Sequence, residues 1–325
     1  MTFPMVQPGL WDGPWGLRPK SVQELWKIMG LATFSLGWKN RVVWRGLPDS
    51  SFRVASTLVR KLANEGVDVT EENLRQYELE IIQVAKDWDI GLSEHGSVTD
   101  LHLLAMLQHH GAPTRLIDVT YNPLTALWFV CSDVEKADIP GVLVVLTVSD
   151  AVRRATSEIP TLTYDTVTEP SAATIISALR KSREVGGPLL VEPRPRDERM
   201  KAQEGAFLAG VIPDAQREGP VLGLGYSGLA PLLPLALHGL SNETATVHGD
   251  EWHGLSFAGI VVSPELKREL LPILDRNFNR SHRTMYPDMP GFVQAYNRGL
   301  LDDELLDVSV GIQDSSSQLP EYWRE

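Results

Sequence analysis

The apolar residues of the chain recur with two different periods. Between residues 70 and 88 they return roughly every three to four positions, which is typical of one face of an amphipathic helix. The members of this stripe are Leu74, Tyr77, Ile81, Val84, Ala85 and Trp88. The run "GVLVVLTV" at residues 141–148 is instead apolar almost throughout, as expected for a strand buried on both faces. Together the two patterns predict helices that pack against a buried sheet.

Polar caps and glycines indicate where further helices begin and end. Ser21 with Glu24 three residues later forms a capping-box pattern, and Asn122–Pro123 places a cap before a proline at the first helical position. We expect Pro272 to kink the helix in which it lies. The predicted helices cover residues 21–29, 55–66, 70–88, 98–111, 122–137, 263–277 and 288–299.

Short β-branched and apolar runs predict the strands. They cover residues 41–46, 114–120, 141–148, 187–193, 200–210 and 255–262. Helices dominate the first half of the chain and strands the second, without regular βαβ alternation. The predicted fold is therefore α+β, with a helical N-terminal half packed on a mixed β core.

The predicted elements form one unit, because neither an internal repeat nor a clear linker interrupts residues 20–305. This single domain carries a Gly- and Pro-rich insertion at about residues 211–254. An irregular N-terminal arm, residues 1–19, precedes it, and a flexible C-terminal tail, residues 306–325, follows it.

Composition excludes several classes of protein. The chain has 325 residues, of which 43% are hydrophobic, and a net charge of −12, which disfavours broad binding to phosphate backbones but leaves room for a local basic pocket. No apolar run is long enough to span a bilayer and the N-terminus does not resemble a signal peptide, so we expect a cytoplasmic protein without a membrane partner. The single cysteine, Cys131, excludes an internal disulfide and a multi-cysteine zinc site.

Two short motifs have contexts that argue against their usual functions. "GLGYSG" at 223–228 matches a dinucleotide fingerprint, but the prolines at 231 and 234 oppose the helix that must follow it. His248 and His253 lie in what reads as a polar turn, so we expect no metal site there.

The window "QHHGAPTRLIDVTYNPLTALWFV", residues 108–130, concentrates polar groups between two predicted helices. Arg115 and Asp118 would lie on opposite faces of a short buried segment, where each needs a partner. One interpretation is structural, in which His109 or Arg115 binds carbonyls at the helix end and Asp118 caps a turn. The other is that these side chains line a functional pocket.

Four segments resemble the FRG domain, a family named for a Phe-Arg-Gly motif. They are "WRG" (44–46), the window 108–130, "RMKAQEGAF" (199–207) and "MYPDMPGF" (285–292), so the resemblance extends over roughly residues 20–300. Trp44 stands where the family has Phe, Val119 where Trp is usual, and Glu204 where Gln is expected. The stretch 211–254 is longer than in the family.

The layout of these motifs is similar to that of an ADP-ribosyltransferase, which implies NAD as the substrate and no metal. Arg45 would bind the pyrophosphate, and Gly46 would allow close approach of the backbone. Glu204 would stabilise the positive charge that develops on the ribose, with His109 as a second catalytic residue. The other residues expected to bind the dinucleotide are Gln108, Thr114, Arg115, Asp118, Thr120, Asn122 and Gln203.

The orientation of Gln203 and Glu204 stays open at the level of sequence. In a regular strand they face opposite ways, so only one could reach the pocket that Arg45 enters. A bulge at Gly205 would re-aim the pair and let both reach it.

The resemblance implies an NAD-dependent ADP-ribosyltransferase or NAD glycohydrolase, acting as a toxin or phage-defence effector. Its acceptor would be macromolecular (protein, RNA or DNA) or water, and a neutralising protein could accompany it. The alternative is a non-catalytic FRG module that binds a nucleotide or a protein. The sequence identifies neither the acceptor nor the oligomeric state.

Overall fold

The computed structural model describes residues 7–12, 16–36, 40–93, 96–149, 188–192, 198–212, 220–224 and 257–300. The strands in these ranges are β1 (Gly16–Leu17), β2 (Asn40–Leu47), β3 (Leu92–Ser93), β4 (Gly96–Ser97), β5 (Ile117–Thr120), β6 (Gly141–Ser149), β7 (Leu189–Val191), β8 (Gly205–Ala209) and β9 (Phe257–Val262). Seven of them form one sheet in the order β1-β9-β6-β2-β5-β8-β7, and β3 pairs with β4.

The sheet is mixed, because β1 runs parallel to β9 while the other neighbours are antiparallel. β2 and β6 pair along their whole common length, from Asn40 with Ser149 to Leu47 with Val142. On its other side β2 shares only the pair Trp44 with Thr120 with β5. The two strands therefore separate beyond Trp44, and this separation makes room for side chains between them.

The helices in the described ranges agree with most of the predicted boundaries. They are α1 (Val22–Leu31), α2 (Thr57–Asn64), α3 (Glu71–Asp87), α4 (Asp100–His109), α5 (Pro123–Cys131), α6 (Glu198–Ala202), α7 (Pro264–Phe278), α8 (His282–Met285) and α9 (Met289–Asn297). The predicted caps Ser21, Thr70 and Asn122 each accept a backbone N–H with the side chain. The helix predicted from residue 263 continues through Pro272.

The core lies on both faces of the sheet, as the continuous apolar run at 141–148 predicted. Leu143 and Val145 of β6 pack in one cluster with residues of α1, α5 and α7. Val142 and Val144 pack in a second cluster on the other face. The prediction that β6 is buried on both faces is confirmed.

The α+β class is also confirmed, but helices and strands are mixed more evenly along the chain than the pattern indicated. The central strands β2, β5 and β6 come from the first 149 residues, whereas α7, α8 and α9 come from its end. Hydrophobic periodicity identified these elements one by one. It carries no information about which strands become neighbours in the sheet.

The stripe predicted for α3 is partly wrong. Val84 is 50% exposed and Trp88 is 78% exposed, while Glu78 and Ile82 are buried. The buried face turns towards Glu78 because this carboxylate forms an ion pair with Arg115 at 2.6 Å, a pairing that apolar periodicity cannot indicate. Trp88 lies outside the buried stripe because it is the C-cap, one position beyond the last helical residue.

The predicted strand 200–210 is also wrong in its first half. Helix α6 extends to Ala202, a turn follows, and β8 begins only at Gly205. Glu204 has a φ of +50°, in the left-handed region, and this conformation makes the sharp turn from helix to strand. Of the extended segment predicted at 114–120, residues Ile117–Thr120 form a strand.

The described residues of the N-terminal arm, 7–12 and 16–19, pack on the rest of the fold. Trp11 is only 1% exposed, and β1 adds to the edge of the sheet beside β9. Most of the predicted insertion, the end of the motif at 223–228, His248 and His253, and the tail 306–325 lie outside the described residues. Within the described part of the chain, no helix combines the length and apolar character needed to cross a membrane.

Candidate functional site

A cavity of about 280 Å³ lies where β2 and β5 separate. Its walls come from β2, β5, β8, the end of α4, α5, α6 with the turn after it, and the segment after α8. The lining residues are Trp44, Arg45, Gly46, Gln108, His109, Asp118, Val119, Thr120, Phe129, Arg199, Met200, Gln203, Gly205, Ala206, Phe207 and Tyr286. The four segments that carry the family resemblance therefore meet around one cavity.

Arg45 bridges the gap between the two separated strands. One terminal nitrogen of its guanidinium donates to the backbone carbonyl of Asp118 and lies 3.5 Å from the Oδ2 atom of that residue. The arginine side chain, 16% exposed, thus reaches from β2 to the backbone of β5. Its position at the point of separation brings a permanent positive charge to the cavity wall.

Gly46 lines the cavity, and its lack of a side chain also serves the packing of β2. A β carbon at this position would lie 2.0 Å from the carbonyl oxygen of Ala126 in α5. Only glycine therefore lets β2 approach this helix so closely. The sequence suggested that Gly46 would let a ligand approach the backbone closely. In the structure, Gly46 allows the close approach of α5 to β2.

Asp118 and Gln108 form a hydrogen-bonded pair at the cavity wall. Gln108 donates from Nε2 to Oδ2 of Asp118 at 3.2 Å, while its Oε1 accepts from the hydroxyls of Thr57 at 3.1 Å and Thr114 at 2.9 Å. The carboxylate fixes which end of the amide faces it, because only the amide NH2 can donate to a carboxylate, and the amide oxygen is then left to accept from the two hydroxyls. Thr114 is fully buried behind the wall and acts on the site through Gln108.

Arg115 points away from the cavity into a buried ion-pair network. Its Nε donates to Glu78 at 2.7 Å and a terminal nitrogen donates to Glu71 at 3.1 Å and to the carbonyl of Gly210 at 3.2 Å. Burial lowers the pKa of Arg115, but the charges and hydrogen bonds of Glu78 and Glu71 outweigh it and raise this pKa. The network joins α3 to the start of β5, so it supports the wall without contributing to its surface.

Gln203 and Glu204 are separated by the left-handed turn. Gln203 lines the cavity and donates from Nε2 to the carbonyl of Met285 at 3.0 Å. Glu204 is outside the lining, and its Oε1 accepts from Asn122 at 2.7 Å and from Arg280 at 2.8 Å. Thus the structure brings Gln203, and not Glu204 or Asn122, to the cavity.

Thr120 and His109 complete the predicted residues that line the cavity. The Thr120 hydroxyl donates to the carbonyl of Gln203 at 2.7 Å and so ties β5 to the turn. His109 lies in the last turn of α4, with its Nε2 3.9 Å from a carboxylate oxygen of Asp288. The imidazole therefore lies between the cavity and an acidic side chain.

Arg199 and Tyr286 also line the cavity, although no role was predicted for them. The guanidinium carbon of Arg199 lies 4.9 Å from the centre of the Tyr286 ring, and His282 stacks on that ring at 4.8 Å. Burial raises the pKa of the Tyr286 hydroxyl. Both residues fall within motifs quoted for the resemblance, so the signal was present, but it indicated a family resemblance without indicating which side chains face the site.

The cavity is locally basic although the chain as a whole is acidic. Arg45 and Arg199 line it, and Arg60 of α2 is close enough for electrostatic coupling. Burial lowers the pKa of Arg60, the positive charge of Arg45 lowers it further, and Asp118 opposes this effect. Among the described residues, no group of three or more His, Cys, Asp or Glu side chains could hold a metal ion.

Comparison with protein families supports the resemblance found in the sequence. Residues 40–139 match the model of the FRG domain, and this segment contains Arg45, Gln108 and Asp118. The motifs that contribute Arg199, Gln203 and Tyr286 lie beyond the matched segment. Neither the search of curated proteins nor that of solved structures returned a match. The likeness to the FRG domain family is thus supported over residues 40–139.

Proposed function

We propose that this protein cleaves NAD, as an ADP-ribosyltransferase or an NAD glycohydrolase, in the cavity between β2 and β5. The observation that carries the proposal is the convergence of Arg45, Asp118, Gln108 and Gln203 with aromatic rings in one cavity. A guanidinium suits a pyrophosphate, amides suit a carboxamide, and rings suit a flat heterocycle. A site of mixed character such as this is typical of small-molecule recognition.

The residues present fit a phosphorylated dinucleotide. In the described part of the chain, the buried Nε of Arg45 has no hydrogen-bond partner, and such a donor costs about 1–3 kcal/mol when it stays unpaired. A phosphate that accepts from this guanidinium would recover that cost. The cavity volume of about 280 Å³ is near the lower end of the roughly 300–1,000 Å³ usual for ligand pockets, so it suits the reactive half of NAD.

The chemistry requires a group that stabilises positive charge on the ribose. As the bond between C1′ and the nicotinamide nitrogen breaks, both electrons leave with nicotinamide and the ribose becomes cationic. A carboxylate that faces this charge stabilises the transition state more than the ground state. Asp118 is the carboxylate in the cavity lining, so we assign it this role. The role expected for Glu204 would require its bonds to Asn122 and Arg280 to break.

An acceptor must then bond to C1′ and lose a proton. The His109 imidazole lines the cavity and can take the proton from an attacking hydroxyl or water. A macromolecular acceptor would make the protein a transferase, whereas water would make it a glycohydrolase. A cytoplasmic toxin or phage-defence effector, controlled by a neutralising protein, is the biological setting that the family resemblance suggests.

A non-catalytic nucleotide-binding module is the second candidate. The observation in its favour is the fixed position of Glu204 outside the cavity lining, since this residue is the carboxylate that the resemblance implied for catalysis. Such a module would bind a nucleotide through Arg45 and release no product.

The test compares cleavage with binding in the full-length protein. Free nicotinamide is quantified after incubation with NAD, alone and with cell extract as a source of acceptor, and calorimetry measures affinity for ADP-ribose. We expect nicotinamide release that is lost in Asp118→Asn and kept in Asp138→Asn, whose carboxylate is 91% exposed on the surface. Binding of ADP-ribose with no nicotinamide release under either condition would favour the non-catalytic module.

A further inference from the structure

A second guanidinium lines the cavity besides Arg45. Arg199 of α6 is 19% exposed, donates to Asp288 Oδ1 at 2.7 Å and lies over the ring of Tyr286. In the described part of the chain, its buried Nε has no hydrogen-bond partner. The function proposed above gives Arg199 no role.

Asp288 binds Arg199 from behind the wall and lies near a second basic side chain. Its Oδ1 also accepts from the backbone N–H of Gly291 at 2.8 Å and caps α9, while its Oδ2 lies 3.9 Å from Nε2 of His109. Arg199 and His109 line the cavity, whereas Asp288 is outside the lining. One carboxylate thus lies at the meeting point of α9, α6 and the end of α4.

The electrostatics keep this carboxylate charged. Burial raises the pKa of Asp288, but hydrogen bonds from Arg199 and Gly291 and the charges of Arg199 and His109 outweigh that effect and lower it. An ionised Asp288 attracts both basic groups, and its hydrogen bond from Arg199 fixes the orientation of that guanidinium. Asp288 accepts from only part of the Arg199 guanidinium, which has five N–H donors.

A purely structural anchor would explain the contact between Arg199 and Asp288 but not the position of both basic groups at the cavity surface. The planar donors of a guanidinium match the oxygens of a phosphoryl group. The fixed orientation of Arg199 would reduce the entropy lost when such a group binds.

We propose that Arg199 forms a phosphoryl-binding wall of the cavity, and that Asp288 is the positioning residue that holds it. The ligand class is a phosphorylated nucleotide. The proposal rests on the proposed function to the extent that the phosphoryl group belongs to the ADP-ribose part of NAD.

Calorimetry with ADP-ribose on the full-length protein tests the wall. Arg199→Lys keeps the charge but loses the planar fork, and we expect affinity to fall about tenfold, the scale of one lost charge-assisted hydrogen bond. The matched control is Arg268→Lys, because Arg268 forms a bond of similar length, 2.8 Å, to Asp138 on the surface. Its affinity should equal that of the wild type.

Two substitutions at Asp288 separate positioning from helix capping. Serine and asparagine are both good caps, so both variants should preserve α9. Serine is too short to reach Arg199, and we expect Asp288→Ser to weaken ADP-ribose binding about tenfold, a loss similar to that of Arg199→Lys. Asparagine keeps an acceptor for Arg199, so Asp288→Asn should restore most of the affinity. The double variant Arg199→Lys with Asp288→Ser should bind no more weakly than Arg199→Lys alone.

Each outcome decides one part of the proposal. Unchanged affinity in Arg199→Lys overturns the phosphoryl wall, and this variant remains decisive if Asp288→Ser does not fold. Additive losses in the double variant, or no recovery in Asp288→Asn, overturn the positioning role. A wild type that binds ADP-ribose but releases no nicotinamide overturns only the proposed cleavage. A wild type that does not bind ADP-ribose overturns both.

Discussion

At the scale of single residues, the two carboxylates Asp118 and Glu204 are distinguished by their partners. Asp118 is 59% exposed in the cavity wall beside Arg45, whereas Glu204 is held by Asn122 and Arg280 outside it. Because Asn keeps the shape of Asp, Asp118→Asn should lower the kcat of nicotinamide release a hundredfold or more, about 3 kcal/mol of transition-state stabilisation. Affinity for NAD should change little, which steady-state kinetics and calorimetry together can check.

The matched variant is Glu204→Gln, which keeps the hydrogen-bond acceptor for both partners. We expect its turnover to stay within a few fold of the wild type. If turnover collapsed in Glu204→Gln and survived in Asp118→Asn, the assignment of the charge-stabilising role would have to be reversed.

The guanidinium of Arg45 gives a second prediction at this scale. Arg45→Lys keeps the charge but cannot make paired hydrogen bonds, so affinity for NAD should fall about tenfold, equivalent to about 1.4 kcal/mol. The fold should be preserved, since Gly46 and Trp44 keep the packing of β2. Arg41→Lys is the control, because Arg41 lies on the same strand but bonds to Glu192 and Tyr121, away from the cavity lining. Equal affinities in the two variants would remove Arg45 from the binding site.

The sequence could predict the cavity residues of the central window but not their separate tasks. Gln108, Asp118 and Thr120 were predicted together with Thr114 and Arg115, because all five stand in one polar run. Contacts with residues far away in the sequence give these five residues different roles. Glu78 accepts a hydrogen bond from Arg115, and the Thr57 hydroxyl donates one to Gln108. Proximity in sequence cannot indicate these contacts.

At the scale of elements, the buried pair of Arg115 and Glu78 links α3 to the start of β5. Glu78→Gln would leave the guanidinium without its full countercharge, which typically costs about 3–5 kcal/mol when the pair is buried. Denaturation by urea should therefore show a lower midpoint. The control is Glu80→Gln, an exposed position on the same helix. A midpoint within error of the wild type would mean that Glu71 alone satisfies Arg115.

Helices and strands could be predicted from the sequence where a side-chain cap or a long apolar pattern defined them. They could not be predicted where a sharp turn separated a helix from a strand. Thr70 and Asn122 start α3 and α5 as predicted, since a side-chain cap is a local interaction. The boundary between α6 and β8 was missed because it depends on a left-handed conformation at Glu204, a residue type that seldom adopts one. Since that turn decides whether Gln203 or Glu204 faces the cavity, the error also affected the predicted site.

At the scale of the whole molecule, the fold class followed from the pattern but the cavity did not. The cavity exists because β2 and β5 share a single pair of residues before they separate. Strand order and strand separation result from the packing of all elements together, and neither is recorded in local periodicity. The net charge of −12 likewise gave no indication that Arg45, Arg60 and Arg199 would gather at one place.

Acid stability is a property of the whole domain to which particular carboxylates contribute. Asp49 is 8% exposed and accepts hydrogen bonds from the Ser51 N–H at 2.9 Å, the Ser51 hydroxyl at 2.6 Å and Lys136 at 3.1 Å. Burial raises the pKa of Asp49, but these hydrogen bonds and the Lys136 charge outweigh it and lower the pKa below its ordinary value. The folded state therefore keeps this group ionised at a pH where the unfolded chain has already begun to take up a proton.

The sign of the pH dependence follows from this shift. The contribution of Asp49 to the free energy of unfolding is fully present above the unfolded pKa of about 3.9 and is lost as the pH falls through the lower folded pKa. Asp49→Asn should accordingly flatten the decline of that free energy below about pH 4, the unfolded value, while lowering stability at neutral pH. Urea denaturation at a series of pH values measures both effects, with Asp138→Asn as the control because its carboxylate is 91% exposed. If the Asp49→Asn and wild-type curves ran parallel through the acid range, the hydrogen bonds to Asp49 would not favour its ionised form.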